Sequence, residues 1–134
     1  MGSSHDSLRQ RLQNGGHVPG DEVDSTELAA AAAELGYAVF EVECDRAKSK
    51  SAVLRAIAGA VDFPEYFGSN LDALLDCLTS TVLDQQQAGA LVVLNNLHHQ
   101  DPGLAEHVDD IMDTFADAAE YVRDNGRVLA FTRR

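Results

Sequence analysis

Apolar and polar positions along this chain follow two kinds of pattern, one typical of strands and one typical of helices. Residues 37–43 (YAVFEVE) combine aromatic and β-branched side chains with a polar alternation at the end, which predicts a strand. Residues 91–97 (LVVLNNL) are almost continuously apolar, as in a strand that is covered on both faces. Residues 128–132 (VLAFT) predict a third strand near the end of the chain.

Four segments show the three-to-four-residue spacing of a helix that buries one face. Capping residues and glycines mark their ends, since Asp24 precedes the first segment and Gly126 follows the last. The predicted helices cover residues 25–35, 50–61, 70–80 and 102–125. The last helix has a predicted buried stripe that consists of Leu104, Val108, Ile111, Phe115, Ala118 and Val122.

The predicted order of elements is helix, strand, two helices, strand, helix, strand. Strands that alternate with helices form parallel sheets with right-handed crossovers. The prediction is therefore an α/β fold with a three-stranded parallel β-sheet packed with helices, plus an additional N-terminal helix over residues 25–36. Residues 1–24 are rich in Gly, Ser, Gln, Asn and Asp and are predicted to be mostly disordered. The folded domain is expected to span residues 25–134.

Charge changes this picture more than any other compositional feature. The formal net charge is −12, and the stretch between Arg55 and Arg123 contains twelve carboxylates without a single lysine or arginine. Nucleic acid and anionic membranes attract basic surfaces, so neither is an expected partner. Two interpretations remain: the charge steers a basic macromolecular partner toward the protein, or it serves solubility alone.

The sequence favours a cytoplasmic protein. Its first residues lack the basic and apolar regions of a secretion signal, and no apolar run approaches the roughly 20 residues that a membrane span needs. The two cysteines, Cys44 and Cys77, are too few for a disulfide framework. We interpret both as small buried residues.

The predicted helix over residues 70–80 carries the most informative polar pattern. On a wheel of about 100° per residue, four leucines share one arc that is expected to face the core. Asp72 and Asp76 lie beside that arc, one turn apart, where like charges repel by a few tenths of a kcal/mol. From these residues alone, a solvated helix face and a binding surface both remain open. The four leucines are Leu71, Leu74, Leu75 and Leu78.

Residues 63–79 (FPEYFGSNLDALLDCLT) closely resemble the central motif of the barstar family of ribonuclease inhibitors. The shared pattern is Pro-Glu-Tyr-aromatic-Gly-x-Asn-Leu-Asp-Ala-Leu-x-Asp-Cys-Leu-Thr, which is long and includes unusual residues. The predicted order of elements also matches the family's three-stranded parallel sheet packed with helices. The resemblance covers roughly residues 37–132 and leaves the N-terminal segment outside.

This resemblance implies an intracellular inhibitor, not an enzyme, that binds a basic, secreted, guanyl-specific microbial ribonuclease one-to-one at its active site. Asp76 would enter the phosphate-binding pocket, Asp72 would contact the basic rim, and Tyr66 would pack on the enzyme's catalytic histidine. Matching Phe115 to the family's phenylalanine places a further acidic contact at Asp117. Backbone or small-group contacts are implied at Gly68, Asn70, Leu71, Ala73 and Thr79.

Two positions depart from the family pattern. Leu75 stands where barstar has a tryptophan, and Thr81 replaces another tryptophan at the edge of the contact. Because aromatic residues often anchor an interface, their loss predicts a different or narrower choice of ribonuclease. The alternative is an immunity or adaptor protein that uses the same acidic surface against a different basic toxin or another protein partner.

The remaining candidate chemistry favours ordinary structural roles. His98 and His99 follow a strand end, but no cysteine or carboxylate has metal-ligand spacing with them, so neither a metal nor a cofactor is expected. An enzyme that used Asp72 and Asp76 as an acid–base pair would need a cleft, and the sequence indicates none. The sequence leaves the oligomeric state open, and a monomer is favoured.

Overall fold

The computed structural model describes residues 3–18, 24–63, 70–84, 86–98 and 100–133. Helices and strands alternate over most of this length, as the apolar patterns predict, and two elements precede the first predicted one. In chain order the elements are α1 (Ser3–Asn14), β1 (Gly16–His17), α2 (Ser25–Glu34), β2 (Tyr37–Glu43), α3 (Lys50–Val61), α4 (Leu71–Asp84), β3 (Gly89–Asn95), α5 (Pro102–Asp124) and β4 (Val128–Arg133).

The strands form one parallel sheet with the order β1-β4-β3-β2. β3 lies between β2 and β4, and its residues from Gly89 to Leu94 are all buried, as predicted for a strand covered on both faces. In the register of the three longer strands, Leu91 lies between Val39 and Ala130. The predicted parallel α/β architecture is therefore confirmed.

The predicted number of strands is wrong, because the sheet has a fourth strand, β1, at its β4 edge. β1 consists of two residues, and His17 lies opposite Phe131 in the parallel register. Gly15 and Gly16 lead the chain into this strand with φ angles of +74° and +75°, a region that favours glycine. A Cβ atom on Gly15 would lie 3.2 Å from the Leu129 carbonyl oxygen. The segment has neither alternation nor β-branched residues, so its sequence pattern does not predict a strand.

Residues 1–24 are predicted to be mostly disordered, but within them the structure forms α1 and β1 over residues 3–18. Leu8 and Leu12 are buried one helical turn apart, and Val18 is buried directly after β1. The Tyr37 hydroxyl donates a hydrogen bond of 3.4 Å to the Leu12 carbonyl oxygen. Three apolar anchors thus outweigh the polar composition on which the prediction of disorder was based.

Two apolar clusters cover the two faces of the sheet, which we name the α5 face and the α1 face. On the α5 face, α3, α4 and α5 pack around Phe115 and Phe131, whose ring centroids are 5.3 Å apart. On the α1 face, α1 and α2 bury a smaller set of side chains. That smaller set consists of Leu8, Leu12, Val18, Leu28, Ala31, Ala32, Tyr37, Leu91, Val93 and Ala130.

Side-chain caps begin α2, α3 and α5, and the cap of α2 is the predicted Asp24. Asp24 caps α2, Ser49 caps α3, and Asp101 caps α5, where Pro102 occupies the first helical turn. Each cap accepts a hydrogen bond from a backbone N–H group that the helix cannot satisfy itself. α4 continues to Asp84, which is four residues beyond the predicted end of this helix.

Candidate partner-binding surface on helix α4

Asn70 begins the helix that carries the candidate site. Its Oδ1 atom accepts a hydrogen bond of 2.8 Å from the Ala73 backbone N–H, and its carbonyl oxygen accepts one of 2.9 Å from Leu74. This is the geometry of a helix N-cap, in which an asparagine satisfies an otherwise unpaired donor. The predicted contact residue Asn70 therefore also has a structural role, because it orients the first turn of α4.

One row of α4 holds the helix against the α5 face. Leu74 and Leu78 are almost completely buried, and Val82 continues the same four-residue spacing with only 2% of its surface exposed. The other two leucines of the predicted arc, Leu71 and Leu75, are half-buried and pack against the same cluster. α4 is thus anchored along three turns, which limits how far its outer side chains can move.

An acidic row follows the opposite side of α4. Asp72, Asp76, Ser80 and Asp84 are all exposed and are spaced four residues apart. Such positions lie one above the other on a helix, with a slow drift around its axis. Neither Asp72 nor Asp76 makes an ion pair with another residue in the described part of the chain. The helix N-terminus favours Asp72 in the first turn, whereas Asp76, one turn further along, has neither that support nor an ion pair among the described residues.

Asp84 is a member of this row that the sequence analysis missed. The predicted helix ended near Ser80, and Asp84 consequently lay outside it. The signal was present in the sequence, because Val82 repeats the spacing of Leu74 and Leu78 and extends the buried stripe by one turn.

Thr79 and Ala73, both predicted contacts, are half-buried beside the acidic row. The Thr79 hydroxyl lies 2.9 Å from the Leu75 carbonyl oxygen and 3.0 Å from that of Asp76, so it donates within its own helix. Its oxygen keeps lone pairs with which it can accept a hydrogen bond from a partner. Leu75 and Thr81, the two positions that depart from the family pattern, are both half-buried.

Both cysteines are buried, as predicted, and their thiols are held in the neutral form. Burial raises the pKa of Cys77, and the neighbouring Asp76 carboxylate raises that pKa further. Burial and the charge of Glu43 raise the pKa of Cys44 to about 11. A thiol with a raised pKa is a poor nucleophile at neutral pH, which agrees with a packing role for both residues.

Asp117 is exposed on α5, the helix that packs beside α4. The opposite side of α5 carries its buried stripe, which includes every apolar residue predicted for it. Asp117 belongs to an acidic face that points away from the core. The exposed acids of α5 are Glu106, Asp109, Asp110, Asp113, Asp117, Glu120 and Asp124.

The segment between α3 and α4 is described only as far as Phe63 and again from Asn70. Tyr66 and Gly68, two predicted contact residues, lie outside the described residues. At the end of α3, Asp62 adopts the left-handed conformation, and the backbone N–H of the buried Phe63 donates a hydrogen bond of 2.9 Å to the Ala58 carbonyl oxygen. Phe63 is therefore held against the end of α3.

The chemistry of the described residues favours charge recognition. A carboxylate on an anchored helix accepts charge-assisted hydrogen bonds, which are about twice as strong as neutral ones. In the segments listed above as described, no group of three or more His, Cys, Asp or Glu side chains is arranged to hold a metal ion. Within the same segments, no helix has both the length and the apolarity to cross a membrane.

Fold and surface together define a parallel α/β protein that presents an acidic helix. A family model described as "Barstar (barnase inhibitor)" matches residues 37–133. The chain belongs to the barstar family, as the motif over residues 63–79 indicates. It is also similar to a Bacillus subtilis (strain 168) protein named "Putative ribonuclease inhibitor YrdF", with 35% identity over 69 residues, which are 52% of this chain and 71% of the relative.

Proposed function

We propose that this protein is an intracellular inhibitor of a basic, secreted, guanyl-specific microbial ribonuclease. It blocks the enzyme's active site in a one-to-one complex, using the start of α4 and the preceding loop. Membership in the barstar family and the name of the Bacillus relative support this proposal at the level of the family. The acidic row on α4 supports it at the level of individual residues.

The observation that carries the proposal is the pair Asp72 and Asp76. Both are exposed, one turn apart, on a helix whose opposite row is buried. The two carboxylates repel each other, which destabilises α4 slightly. No lysine, arginine or histidine among the described residues forms an ion pair with either of them. A ribonuclease that cleaves RNA through a cyclic phosphate needs cations where the phosphates bind, and those cations would relieve the repulsion.

The roles of the single residues follow the family motif. Asp76 occupies the phosphate pocket, Asp72 meets the basic rim, and Tyr66 packs on the catalytic histidine. Gly68, together with Asn70, Leu71, Ala73, Leu75 and Thr79, supplies the close contacts around them. Asp117 adds an acidic contact from α5. None of these residues has a catalytic role in this proposal.

The charge distribution suits rapid capture of a basic enzyme. The cation-free stretch between Arg55 and Arg123 includes both α4 and most of α5, so the acidic surfaces of these two helices combine. Complementary fields raise association rates, and the effect weakens as salt increases. Fast capture protects cellular RNA from enzyme that folds before it is secreted.

The test is a titration of the protein into a guanyl-specific ribonuclease from the same host, with RNA cleavage as the readout. Stoichiometric inhibition is expected for the natural protein. Asp76→Ala should lose several kcal/mol of binding free energy, the range for a desolvated charged hot spot. Asp84→Ala is the matched control, because the same substitution removes one exposed charge from the same row two turns away, and it should leave inhibition almost unchanged. A loss below about 1 kcal/mol in Asp76→Ala contradicts the assigned role.

A second candidate function is immunity against a basic toxin that is not a ribonuclease. The half-buried Leu75 and Thr81 favour it, since both stand where the family's inhibitor has tryptophans. This candidate predicts no inhibition at micromolar excess over the ribonuclease. It also predicts that a basic toxin of the host binds the natural protein and fails to bind Asp76→Ala.

A further inference from the structure

A groove lies between α5 and the end of the sheet formed by β1 and β4. Four residues of α5 line one wall at positions i, i+3, i+4 and i+7, which share one side of a helix. β1 and β4 supply the other wall, and no residue of α4 takes part. The groove is lined by Asp109, Met112, Asp113, Ala116, His17, Phe131 and Arg133.

Charges of both signs face this groove. The carboxylates of Asp109 and Asp113 are exposed on the α5 wall, and the Arg133 guanidinium is exposed on the β4 wall. Among the described residues, none of the three makes an ion pair, although they share one groove. A ligand in this groove can therefore contact two carboxylates and one guanidinium group.

The middle of the groove is apolar. Met112 is half-buried there, and the ring of His17 packs against the ring of Phe131 with centroids 5.7 Å apart and planes tilted by 59°. An aliphatic chain could lie across Met112 and join a cationic group at one wall to an anionic group at the other.

The groove depends on the N-terminal strand of this chain. His17 precedes residues 37–133, the segment that the family model matches. Its position is set by the β1–β4 pairing, and the backbone N–H of Val18 continues that pairing with a bond of 2.8 Å to the Phe131 carbonyl oxygen. The groove therefore shares no residue with the acidic row of α4. Unlike that row, it also includes a residue outside the segment that the family model matches.

We propose that this groove binds an arginine side chain together with a carboxylate of the same residue, as at the C-terminus of a polypeptide that ends in arginine. Asp109 and Asp113 accept charge-assisted hydrogen bonds from the guanidinium, and the aliphatic stem lies on Met112. Arg133 binds the carboxylate through its planar pair of N–H donors.

The test is an NMR titration of the ¹⁵N-labelled full chain with N-acetyl-L-arginine. Saturable shifts are expected at the amides of His17, Asp113 and Phe131. N-acetyl-L-arginine amide lacks the carboxylate, and N-acetyl-L-glutamine lacks the cation. Each should bind about tenfold more weakly, because each loses one charge-assisted contact.

Two variants separate the two walls of the groove. Arg133→Gln should weaken N-acetyl-L-arginine about tenfold and leave binding of the amide unchanged, because only the carboxylate contact is lost. Asp109→Asn combined with Asp113→Asn should weaken both arginine ligands. Asp124→Asn, an exposed acid at the far end of α5, is the control and should leave the affinity unchanged.

Three results would overturn the proposal: no saturable shifts, equal shifts with all three compounds, or an unchanged affinity in Arg133→Gln. Because the groove shares no residue with α4, each of these results leaves the proposed inhibition of a ribonuclease standing.

Discussion

The two faces of the sheet are covered by helices of very different character. On the α5 face, α5 alone spans 23 residues and buries eight side chains along its length. On the α1 face, α1 buries two leucines among its described side chains, and α2 buries one leucine and two alanines. Since hydrophobic stabilisation grows with the apolar area buried, the α1 face should open far more readily than the α5 face.

This difference bears on function because the candidate site belongs to the more stable face. α4 is held by Leu74, Leu78 and Val82, so its acidic row is presented in one orientation before a partner arrives. A preorganised surface loses less entropy on binding. We therefore expect binding through α4 to tolerate damage to the α1 face, and the following predictions test that separation.

The largest effect is expected from Phe115→Ala on the α5 face. Phe115 is completely buried and packs against Phe131, so truncation leaves a cavity that should lower the free energy of unfolding by about 3–5 kcal/mol. Urea unfolding followed by circular dichroism measures this change. A loss below about 1 kcal/mol would show that the α5 face is not the main core.

A second effect concerns the pH dependence of stability through Cys44. The folded state holds the pKa of this thiol at about 11, whereas the thiol of the unfolded chain titrates near 9. Between these values only the unfolded chain has lost its proton, so the thiol's contribution is complete below pH 9 and is lost as the pH rises toward 11. The free energy of unfolding should fall by about 2–3 kcal/mol over this range.

Cys44→Ala provides the reference for that measurement. Up to about pH 8.5, the unfolding free energy of the natural protein minus that of the variant should be constant. Above that pH the difference should fall, because only the natural protein loses stability as the thiol titrates. Other titrating groups contribute equally to both proteins. A difference that stays constant to pH 10.5 would contradict the burial of this thiol.

Leu12→Ala on the α1 face should cost about 2 kcal/mol, the low end for a buried leucine, because α1 can detach while the α5 face stays closed. Hydrogen exchange should become faster in α1 and α2 and remain unchanged in α4 and α5. Inhibition of the ribonuclease should also remain unchanged. Loss of inhibition in this variant would show that the two faces are coupled.

The smallest effect is expected from the helix caps. Asn70→Ala should cost about 1 kcal/mol of stability and weaken binding, since the cap orients the first turn of the acidic row. Ser49→Ala removes the corresponding cap from α3 and should cost a similar amount without affecting binding. Calorimetric titration with the ribonuclease measures the affinity of each variant. Equal affinities would contradict the claim that Asn70 orients the acidic row for binding.

Periodic apolar patterns were sufficient to predict β2, β3, β4 and the helices of the α5 face. The long apolar stripe of α5 and the continuous apolar run of β3 are the patterns expected where helices cover a sheet. The predicted end of α4 near Ser80 is too early, because the polar residues around Ser80 separate the last predicted buried leucine from the next buried position, Val82. Asp84 was missed for that reason.

The α1 face could not be predicted in the same way. A two-residue strand has no periodicity, and β1 depends on glycine conformations and on an edge that β4 offers only in the folded sheet. Leu8 and Leu12 give a weak helical signal within a polar segment. The groove lined by His17 and Arg133 follows from this pairing, and residues so far apart in the chain reveal no common pattern before folding.

The most direct test of the central claim is a double-mutant cycle between Asp76→Asn and the removal of an arginine from the ribonuclease's phosphate pocket. If Asp76 enters that pocket, the two changes should be coupled by at least about 1.5 kcal/mol, as close charge pairs across an interface are. A coupling energy below about 0.5 kcal/mol, with both proteins folded, would contradict the claim and place the acidic row of α4 elsewhere in the complex.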